Sequence, residues 1–574
     1  MDRRAIWAIL LMMVIAIAPA FFLKRPPAPP AGGPAAGDTL TPSPAAPPVA
    51  GQSQAPARPA PVPAPPPGPD TAQAVPEDTV LVQSPLYTYG VSTRGGRIIL
   101  ASLQRYESMA KETRGQPADL VRPGDALLAA TLVRGQDSLR LADWIFTASA
   151  RKLDVTGPTP LRLQAARGDV GVDLTYTFVP DDYRIEVTGH VTGVGPNGGL
   201  MILDLGRGFP NTEADSNENH RALALVVKDG DAERSDFASL KAGEPKTLSG
   251  PFEWVAIKSK YFVTAVLAFD STTGRIGGAT ATAPATAGKH PTTADIRLTL
   301  PVNAAGNFSY ALYAGPMEYD RLRRVGHGFD DVNPYGWPGF RTVIRFFTVP
   351  VRWLLVFMHI RLGMAYGLGL IVFGVLVRVL LWPLNQKAMR SSIQMQAVQP
   401  FMKEIQERHK DDPQKLQTEM MRLYKEHGVN PFGGCWPMLL PMPVLLALFF
   451  VFQNTIELRG TSFLWLPDLS RPDPYYIIPL LMGVTMFGVS RVGQIGMEQT
   501  PQMKTMLYVM PVMMTVLFVN FASGLNLYYA VQNLTSIPQQ WMLAQERMKR
   551  QPPPAPPPSP QKGKGKKEQA GSRK

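Results

Sequence analysis

Two kinds of apolar pattern divide this sequence, one with a period of two residues and one made of long uninterrupted runs. Across residues 77–330, apolar and polar residues alternate in short runs, such as Val172–Phe178 and Tyr183–Val187, which a Pro-Asp-Asp turn separates. Alternation of this kind is typical of antiparallel strands with one buried face. Because long helical periodicity is scarce in this part of the chain, we predict an antiparallel β-sandwich domain.

Long apolar runs cluster in the C-terminal part of the chain. They are Ala365–Leu384, Trp436–Ile456, Tyr475–Ser490 and the uncharged stretch Thr505–Gln545. The last stretch would be about 61 Å long as a helix, roughly twice a hydrocarbon core of ~30 Å. Since Asn520–Gly524 supplies a turn in its middle, we expect two helices there and five spans in this part of the chain.

The N-terminal part adds another apolar run. Ala5–Leu23 follows two arginines and is either a cleaved signal peptide or an uncleaved anchor. We favour a signal-anchor span over residues 1–25, because the apolar run continues beyond the small-residue motifs that resemble cleavage sites. Residues 26–76 are rich in proline and alanine and predict an extended linker without a core. The chain is therefore expected to be a polytopic α-helical membrane protein with six spans and a large exported domain.

The distribution of positive charge predicts the orientation of these spans. The formal net charge is +13, and lysine and arginine are concentrated in residues 385–430 and in the tail, residues 546–574. The positive-inside rule then places both segments and both termini in the cytosol. Residues 340–362 combine arginines with apolar residues, which predicts an interfacial amphipathic helix interrupted near Pro350. Its arginines oppose this orientation, because they would lie on the outer side.

Residues 385–430 are predicted to form a helical hairpin in the cytosol. Asp412 before Pro413 is a typical start of a helix, which we expect to end at Gly428. An earlier helix around Met389–His409 would pair with it. Such a hairpin is typical of a mobile platform for a partner or of a lid.

Arg378 is the most informative polar residue, since it lies inside the first apolar run of the C-terminal part. A guanidinium stays charged in a protein, and placing it near the bilayer centre costs about 2.5–3.5 kcal/mol. The other predicted spans contain no carboxylate that could pair with it. Gly367, Gly374 and Arg378 share one helical face, so the glycines could leave a hollow beside the charge. Alternatively, the glycines let another helix pack closely, and Arg378 reaches the cytosolic interface.

Other spans offer polar and methionine side chains that could accompany Arg378. Asn526, Tyr529 and Asn533 fall on a common face of the last span. Such residues can link helices structurally, but together with an unpaired arginine they favour a cavity that contains water. Met442 and Met486 belong to spans dense in methionine, which is typical of core filling or of a surface that accepts varied apolar partners.

Several long motifs in this part of the chain resemble the YidC/Oxa/Alb family of membrane protein insertases. The resemblance covers residues 340–550 and rests on LVRVLLWPL (376–384), ELRGTSFLWLPDLSRPDPYYIIPLLMGVTMF (457–487) and FASGLNLYYAVQNLTSIPQQ (521–540), among others. The anchor, the linker and the exported domain resemble the Gram-negative form.

This resemblance implies a membrane core over residues 363–545, with five helices around a hydrophilic groove, and a periplasmic β-supersandwich domain. It also implies that the protein lies in the bacterial inner membrane. Arg378 matches the arginine of the family's groove, and Tyr529 matches a tyrosine of that groove. At Gly374 some members carry threonine, so a hydroxyl contribution is absent here.

We therefore expect a non-enzymatic insertase and chaperone without a cofactor or metal. Its expected partners are nascent membrane proteins, the lipid bilayer, the Sec translocon, and the ribosome through the basic tail and the cytosolic hairpin. No nucleotide-binding motif is present, so binding energy and the membrane potential would drive insertion. Two other functions stay open from the residues alone: a small-solute transporter, and an envelope-binding protein anchored by its spans.

Overall fold

The structure is a computed structural model that describes residues 77–269, 274–336, 340–410, 412–428, 442–496 and 501–550. All of them belong to one compact unit, residues 74–574. The predicted signal-anchor span, the Pro/Ala-rich linker and residues 551–574 of the basic tail lie outside the described residues.

Three β-sheets make up the first half of the described chain. Their strand orders are β4-β3-β2-β1-β8, β14-β13-β16-β17-β20-β11-β10-β9-β7 and β15-β18-β19-β12-β5-β6. Neighbouring strands are antiparallel, except for β1 and β8, which are parallel. The strands are β1 (Thr79–Gln83), β2 (Tyr87–Ser92), β3 (Ile98–Glu107), β4 (Pro117–Asp119), β5 (Ala129–Arg134), β6 (Asp137–Arg140), β7 (Thr147–Ala148), β8 (Lys152–Asp154), β9 (Thr159–Arg167), β10 (Val170–Phe178), β11 (Arg184–Thr192), β12 (Gly199–Asp204), β13 (Ala224–Asp229), β14 (Asp231–Asp236), β15 (Pro245–Phe252), β16 (Trp254–Lys258), β17 (Phe262–Leu267), β18 (Ile276–Thr282), β19 (Asp295–Val302) and β20 (Asn307–Pro316).

The hairpin predicted from alternating residues is confirmed as β10 and β11. Val172 lies opposite Val191, and Tyr176 lies opposite Val187. Val172, Tyr176 and Phe178 are buried and alternate with more exposed residues, as expected when one face of a strand covers a core. A single buried cluster contains side chains from all three sheets, so the sheets share one hydrophobic core.

Helices dominate the second half of the described chain. Within the described residues, the helices are α1 (Ser216–Ala222), α2 (Tyr319–Val325), α3 (Arg341–Leu362), α4 (Tyr366–Ala397), α5 (Gln399–Arg408), α6 (Pro413–Glu426), α7 (Met442–Asn454), α8 (Ile477–Gly493), α9 (Pro501–Phe518) and α10 (Ser523–Arg550). The turn predicted around Asn520 is confirmed, because α9 ends and α10 begins on either side of it.

Helix α4 is longer than the sequence predicted. It continues through Pro383 to Ala397, and a separate helix, α5, begins at Gln399. Proline removes one intrahelical hydrogen bond but keeps a helical φ, so a helix can continue past it with a local distortion. The predicted start of α6 is confirmed, since Asp412 Oδ1 accepts a hydrogen bond from the Lys415 amide at 3.0 Å. Val398 and Leu423 pack the hairpin together.

Helix α3 is continuous through Pro350, so the predicted interruption is wrong. Three of its arginines, Arg341, Arg345 and Arg352, are paired with acidic residues of the preceding domain or of the segment after α7. Arg352 is 4% exposed and donates to Asp320 Oδ2 at 3.0 Å and to Glu457. Arg345 pairs with Asp330. These ion pairs compensate the positive charges of Arg345 and Arg352.

Two described helices are long and apolar enough to cross a membrane by length and composition. They are Arg341–Leu362, which is α3, and the first part of α4, Tyr366–Lys387. Met442–Asn454, Ile477–Gly493 and Met503–Phe518 are shorter apolar helices. The count of six spans therefore stays a prediction.

Helix α10 packs against three other helices, α4, α7 and α8. Helices α4 and α8 both pack along α10, and α9 packs against α8. Leu370 and Phe373 of α4, Met482 of α8 and Leu525 of α10 belong to one buried cluster. Since α10 occupies the centre of this cluster, its polar residues are held among the other helices.

An arginine from the helical part enters the β-sheet domain. Arg459 follows α7, and its Nε atom lies 3.0 Å from both carboxylate oxygens of Glu213. Its Nη2 atom donates to the Thr212 carbonyl at 3.0 Å, and the guanidinium lies over the Phe262 ring at 5.5 Å. The segment between α7 and α8 is thereby fixed to the β-sheet domain.

A second polar contact joins β16 to the end of α7. Lys258 Nζ donates to Asn333 Oδ1 at 2.8 Å, and Asn333 Nδ2 donates to the Asn454 carbonyl at 3.1 Å. Asn454 returns a hydrogen bond to the Pro334 carbonyl, also at 3.1 Å. The end of α7 is therefore held by side chains that the domain before it supplies.

Candidate functional site

Arg378 lies on α4 and is buried against α10. Only 8% of the residue is exposed. Its Nη2 atom donates a hydrogen bond to Gln539 Oε1 at 2.6 Å, and Gln539 Nε2 donates to the Trp382 carbonyl at 3.2 Å. Within the described residues, the buried Nε atom of Arg378 has no hydrogen-bond partner. The positive charge is thus solvated by a neutral amide and keeps an unused donor.

Gln532 makes a second polar contact between the two helices. Its Nε2 atom donates to the Gly374 carbonyl at 2.8 Å. Tyr528, one turn earlier on α10, has its ring centre 5.8 Å from that of Phe373. Tyr528, Gln532 and Gln539 share one face of α10 by helical spacing, and this face contacts α4. We call these three residues together with Arg378 the arginine face.

Gln539, the partner of Arg378, is not among the residues predicted from the sequence. The sequence predicts Tyr529 and Asn533 as companions of Arg378, because they continue the face that begins at Asn526. The signal was present in the spacing of Tyr528, Gln532 and Gln539, which places a tyrosine and two amides on one side of α10. The sequence alone did not show which of the two polar sides of α10 meets α4.

Asn526 and Asn533 contact other helices. Asn526 is fully buried, and its Nδ2 atom donates to the Phe518 carbonyl at the end of α9, at 2.9 Å. Asn533 Nδ2 lies 3.4 Å from both the Met482 carbonyl and Thr485 Oγ1 of α8. These contacts link α10 to α9 and α8. They agree with the alternative that the polar residues of the last span join helices and do not line a cavity.

Tyr529 and the two predicted methionines lie apart from the arginine face. Tyr529 is half-buried, and its ring centre is 5.8 Å from that of Phe518. Met442 is half-buried at the start of α7, and Met486 is half-buried on α8. The structure therefore distributes the predicted site residues over α4, α7, α8 and α10.

Two of the three glycines of α4, Gly367 and Gly374, receive side chains from neighbouring elements. A Cβ atom on Gly367 would overlap the ring of Phe463, and one on Gly374 would lie 3.0 Å from Val531 Cγ1. Both glycines are buried. They allow close approach of other elements to α4, which was the structural alternative for these positions.

Several apolar side chains on the outer faces of these helices are exposed. Val379 and Leu380, next to Arg378 in sequence, are 66% and 70% exposed, and Val484 of α8 is 68% exposed. Large exposed apolar surfaces mark contact with lipid or with another apolar partner. The buried charge of Arg378 therefore lies one helix width from an apolar outer surface.

Two family descriptions match adjacent parts of the chain. The family described as the 60 kDa inner membrane protein matches residues 357–551, and the YidC periplasmic domain matches residues 79–354. Together they cover the helical part and the β-sheet domain.

Named relatives are similar over most of the chain. The membrane protein insertase YidC of Chlorobium phaeovibrioides is 32% identical over 495 residues, which are 81% of this chain and 83% of that protein. The membrane protein insertase YidC of Syntrophus aciditrophicus is 30% identical over 568 residues, which are 95% of this chain and 100% of that protein. A crystal structure of an active YidC insertase with its first transmembrane domain resolved covers 81% of this chain and 94% of its own, at 18% identity and a TM-score of 0.33.

Proposed function

Because this chain belongs to the YidC/Oxa/Alb family of membrane protein insertases, we propose that nascent membrane segments insert along the arginine face. The protein is an inner-membrane insertase with a periplasmic domain rich in β-sheets. The proposed path begins at Arg378 and Gly374 and continues past Tyr529. We propose that five other predicted site residues lie outside the arginine face and support the packing of the helices next to this path: Gly367, Met442, Met486, Asn526 and Asn533.

The observation that supports this path best is the contact between Arg378 and Gln539. A buried guanidinium costs free energy unless a charge or strong acceptors compensate it. Gln539 offers one neutral oxygen at 2.6 Å. An acidic or polar segment of a substrate would form stronger, charge-assisted hydrogen bonds with the same donors. The buried charge of Arg378 is therefore stabilised most by an acidic or polar group that belongs to the substrate and leaves with it.

We further propose the six-span topology with both termini in the cytosol and a β-supersandwich in the periplasm. The contacts of Gln532 with Gly374 and of Gln539 with Trp382 show that α4 and α10 run in the same direction. This common direction supports a topology in which the hairpin after α4 and the tail after α10 lie on the same side of the membrane. The proposed domains are residues 1–25, 26–76, 77–330, 340–362, 363–545 and 546–574.

The proposed partners follow from this topology. Nascent membrane proteins are the substrates, and the protein acts on them without enzymatic chemistry, alone or with the Sec translocon. The hairpin formed by α5 and α6 lies on the cytosolic side together with the basic tail. Both are suited to the ribosome, because exposed lysine and arginine side chains bind the phosphates of RNA.

Site-specific photo-crosslinking tests the path. A photoreactive residue at Tyr529 or Gln532 should capture a ribosome-stalled membrane protein of which one span has been translated. The matched control is Leu380, which lies on α4 but is 70% exposed on its apolar side. The proposal would be contradicted if Leu380 captured the stalled protein as efficiently as the α10 positions. It would also be contradicted if neither α10 position captured the stalled protein while insertion proceeds.

A further inference from the structure

A cleft of about 500 Å³ in the β-sheet domain plays no part in the insertion path. It lies between the segment before β5, the segment after β12, helix α1 and the segment before β19. Its polar lining consists of Arg122, Arg207, Asn211, His220, Thr292 and Thr293. We call it the anion cleft, because two of these residues are arginines.

Each of the two arginines is held in place by a hydrogen bond or an ion pair, and each keeps N–H donors that are not used in these contacts. Arg122 Nε donates to the Phe209 carbonyl at 2.9 Å. Arg207 Nε and Nη2 both lie 2.8 Å from Asp125 Oδ1. Within the described chain, neither Nη atom of Arg122 nor Nη1 of Arg207 has a hydrogen-bond partner. The geometry therefore presents oriented, unused guanidinium donors in one cleft.

The charges around the cleft do not cancel. Burial lowers the pKa of Arg122, and Arg207 lowers it further, although Asp125 opposes this effect. Burial and then the charge of Arg122 lower the pKa of His220. The carboxylate of Asp125 pairs with Arg207 and balances one of the two guanidinium charges. One positive charge therefore remains. A cleft that keeps two guanidinium groups in mutual repulsion is stabilised when an anion binds between them.

The donor types favour a phosphate over a carboxylate. Arginine donates in a planar fork that matches phosphate oxygens, and the hydroxyls of Thr292 and Thr293 and a neutral His220 can donate from other directions. A tetrahedral phosphate accepts from several directions at once, whereas a carboxylate accepts in one plane. The volume exceeds that of a phosphate ion, so the group can carry an organic substituent.

The position of the cleft brings it close to the membrane side of the domain. Asn211 lines the cleft, and Glu213, two residues later, holds Arg459 of the segment between α7 and α8. Two residues span at most about 7 Å. If α7 and α8 cross the bilayer as proposed, this segment lies at the outer membrane surface, where lipid phosphates are abundant.

We propose that the anion cleft binds a phosphate group that carries an organic substituent. Two sources share this chemistry: the headgroup of an anionic phospholipid, and a soluble organic phosphate. The site is independent of the insertion path, so either can be disproved without the other.

The test uses the full chain in nanodiscs and two radiolabelled probes, glycerol phosphate and phosphatidylglycerol. In the first assay, glycerol phosphate is added to the protein in nanodiscs of phosphatidylcholine, and bound radiolabel is measured. In the second assay, the nanodiscs contain phosphatidylglycerol, and the radiolabelled lipid that stays bound to the protein after exchange into detergent is measured. Wild-type protein should bind at least one probe, and the probe that binds identifies the source. Arg122→Gln should weaken that binding about tenfold, because one charge-assisted contact is lost.

Two further variants separate binding from folding. Thr293→Val removes a hydroxyl without changing the charge and should weaken binding by a smaller factor. Arg297→Gln removes an exposed arginine of β19 that lies outside the cleft, 3.9 Å from Asp204, and should leave binding unchanged. Binding of neither probe by wild-type protein, or equal loss in Arg122→Gln and Arg297→Gln, would overturn the proposal.

Discussion

Arg459 and Glu213 form a buried ion pair between two residues that are 246 positions apart. Their side chains are only 6% and 8% exposed. Burial raises the pKa of Glu213, although Arg459 and then Lys260 lower it. The attraction therefore does not fully offset the cost of removing the carboxylate from water. Such a pair contributes mainly by defining one arrangement of the two segments that it joins.

Arg459→Ala should destabilise the protein by about 3–5 kcal/mol, because it leaves the Glu213 carboxylate buried without its partner. The double variant Arg459→Met with Glu213→Leu should be less destabilised than the sum of the single variants. Chemical unfolding of the full chain in detergent measures both. Arg134, which pairs with Asp169 on the surface, is the control, and its replacement by alanine should have a much smaller effect. If the loss of stability in the double variant equalled the sum of the losses in the two single variants, this account of the pair would be contradicted.

Gly367→Ala and Gly369→Ala should have opposite effects on stability. Alanine at Gly367 would overlap the Phe463 ring, whereas its Cβ at Gly369 would lie 3.6 Å from Met358 Cε, an ordinary contact. We expect the first to destabilise by about 1–3 kcal/mol and the second to stabilise by up to ~1 kcal/mol, since alanine is the better helix former. Thermal unfolding midpoints compare the two. Equal midpoints would show that Phe463 moves aside freely.

Gln539→Glu should impair insertion of substrates whose translocated segment is acidic. The new carboxylate would lie near the 2.6 Å contact with Arg378 and would compensate its charge permanently. Loss of one charge-assisted hydrogen bond to the substrate predicts about a tenfold reduction in insertion. The measurement is protease protection of acidic and neutral reporter substrates after depletion of the native protein.

Two controls make this result specific to the charge. Gln539→Met removes the amide without adding a charge and should retain most of the insertion activity. Arg378→Gln should reduce the insertion of acidic substrates as much as Gln539→Glu does, and it should have little effect on the insertion of neutral substrates. Wild-type insertion of acidic substrates by folded Gln539→Glu would show that Arg378 does not receive them.

Lys258 should give the protein a pH-dependent stability below the usual lysine pKa. The residue is 3% exposed, and burial together with Arg234 holds its pKa well below the usual value, although Asp236 opposes the shift. Between the folded-state pKa and that of the unfolded chain, about 10.4, the unfolded state binds more protons. Stability relative to Lys258→Met should therefore rise with pH by up to ~1.4 kcal/mol per unit in this window. Unfolding midpoints from pH 6 to 9 measure the difference, and parallel curves for the two proteins would contradict it.

The parts of the fold that depend on local chemistry could be predicted from the sequence. Alternating residues around Tyr176 predicted a strand pair with a defined buried face, and Asp412 predicted a helix start that its carboxylate caps. The insertase function could also be predicted, because long motifs resemble a known family. These features are contained in neighbouring residues, so no tertiary information is needed.

The partner of Arg378 depends on how helices rotate about their axes. Helix α10 has one polar side with Asn526 and Asn533 and another with Gln532 and Gln539, and both have helical spacing. Which side meets α4 is decided by close packing at Gly374 and Val531, which are far apart in sequence. In the same way, the ion pairs of Arg345 and Arg352 require acidic residues from other segments, so the sequence showed only an excess of positive charge.

The unbroken course of α4 has a mechanical consequence. As a helix of 32 residues it is about 48 Å long, and its last residue, Ala397, lies about 28 Å beyond Arg378. It acts as a lever arm, on which a tilt of about 5° around Arg378 displaces the base of the hairpin by about 2.5 Å. Pro383 lies between the two points and is the place where this arm can flex. Movement of the hairpin and movement at the buried arginine are thereby coupled through one helix, and bending at Pro383 reduces that coupling.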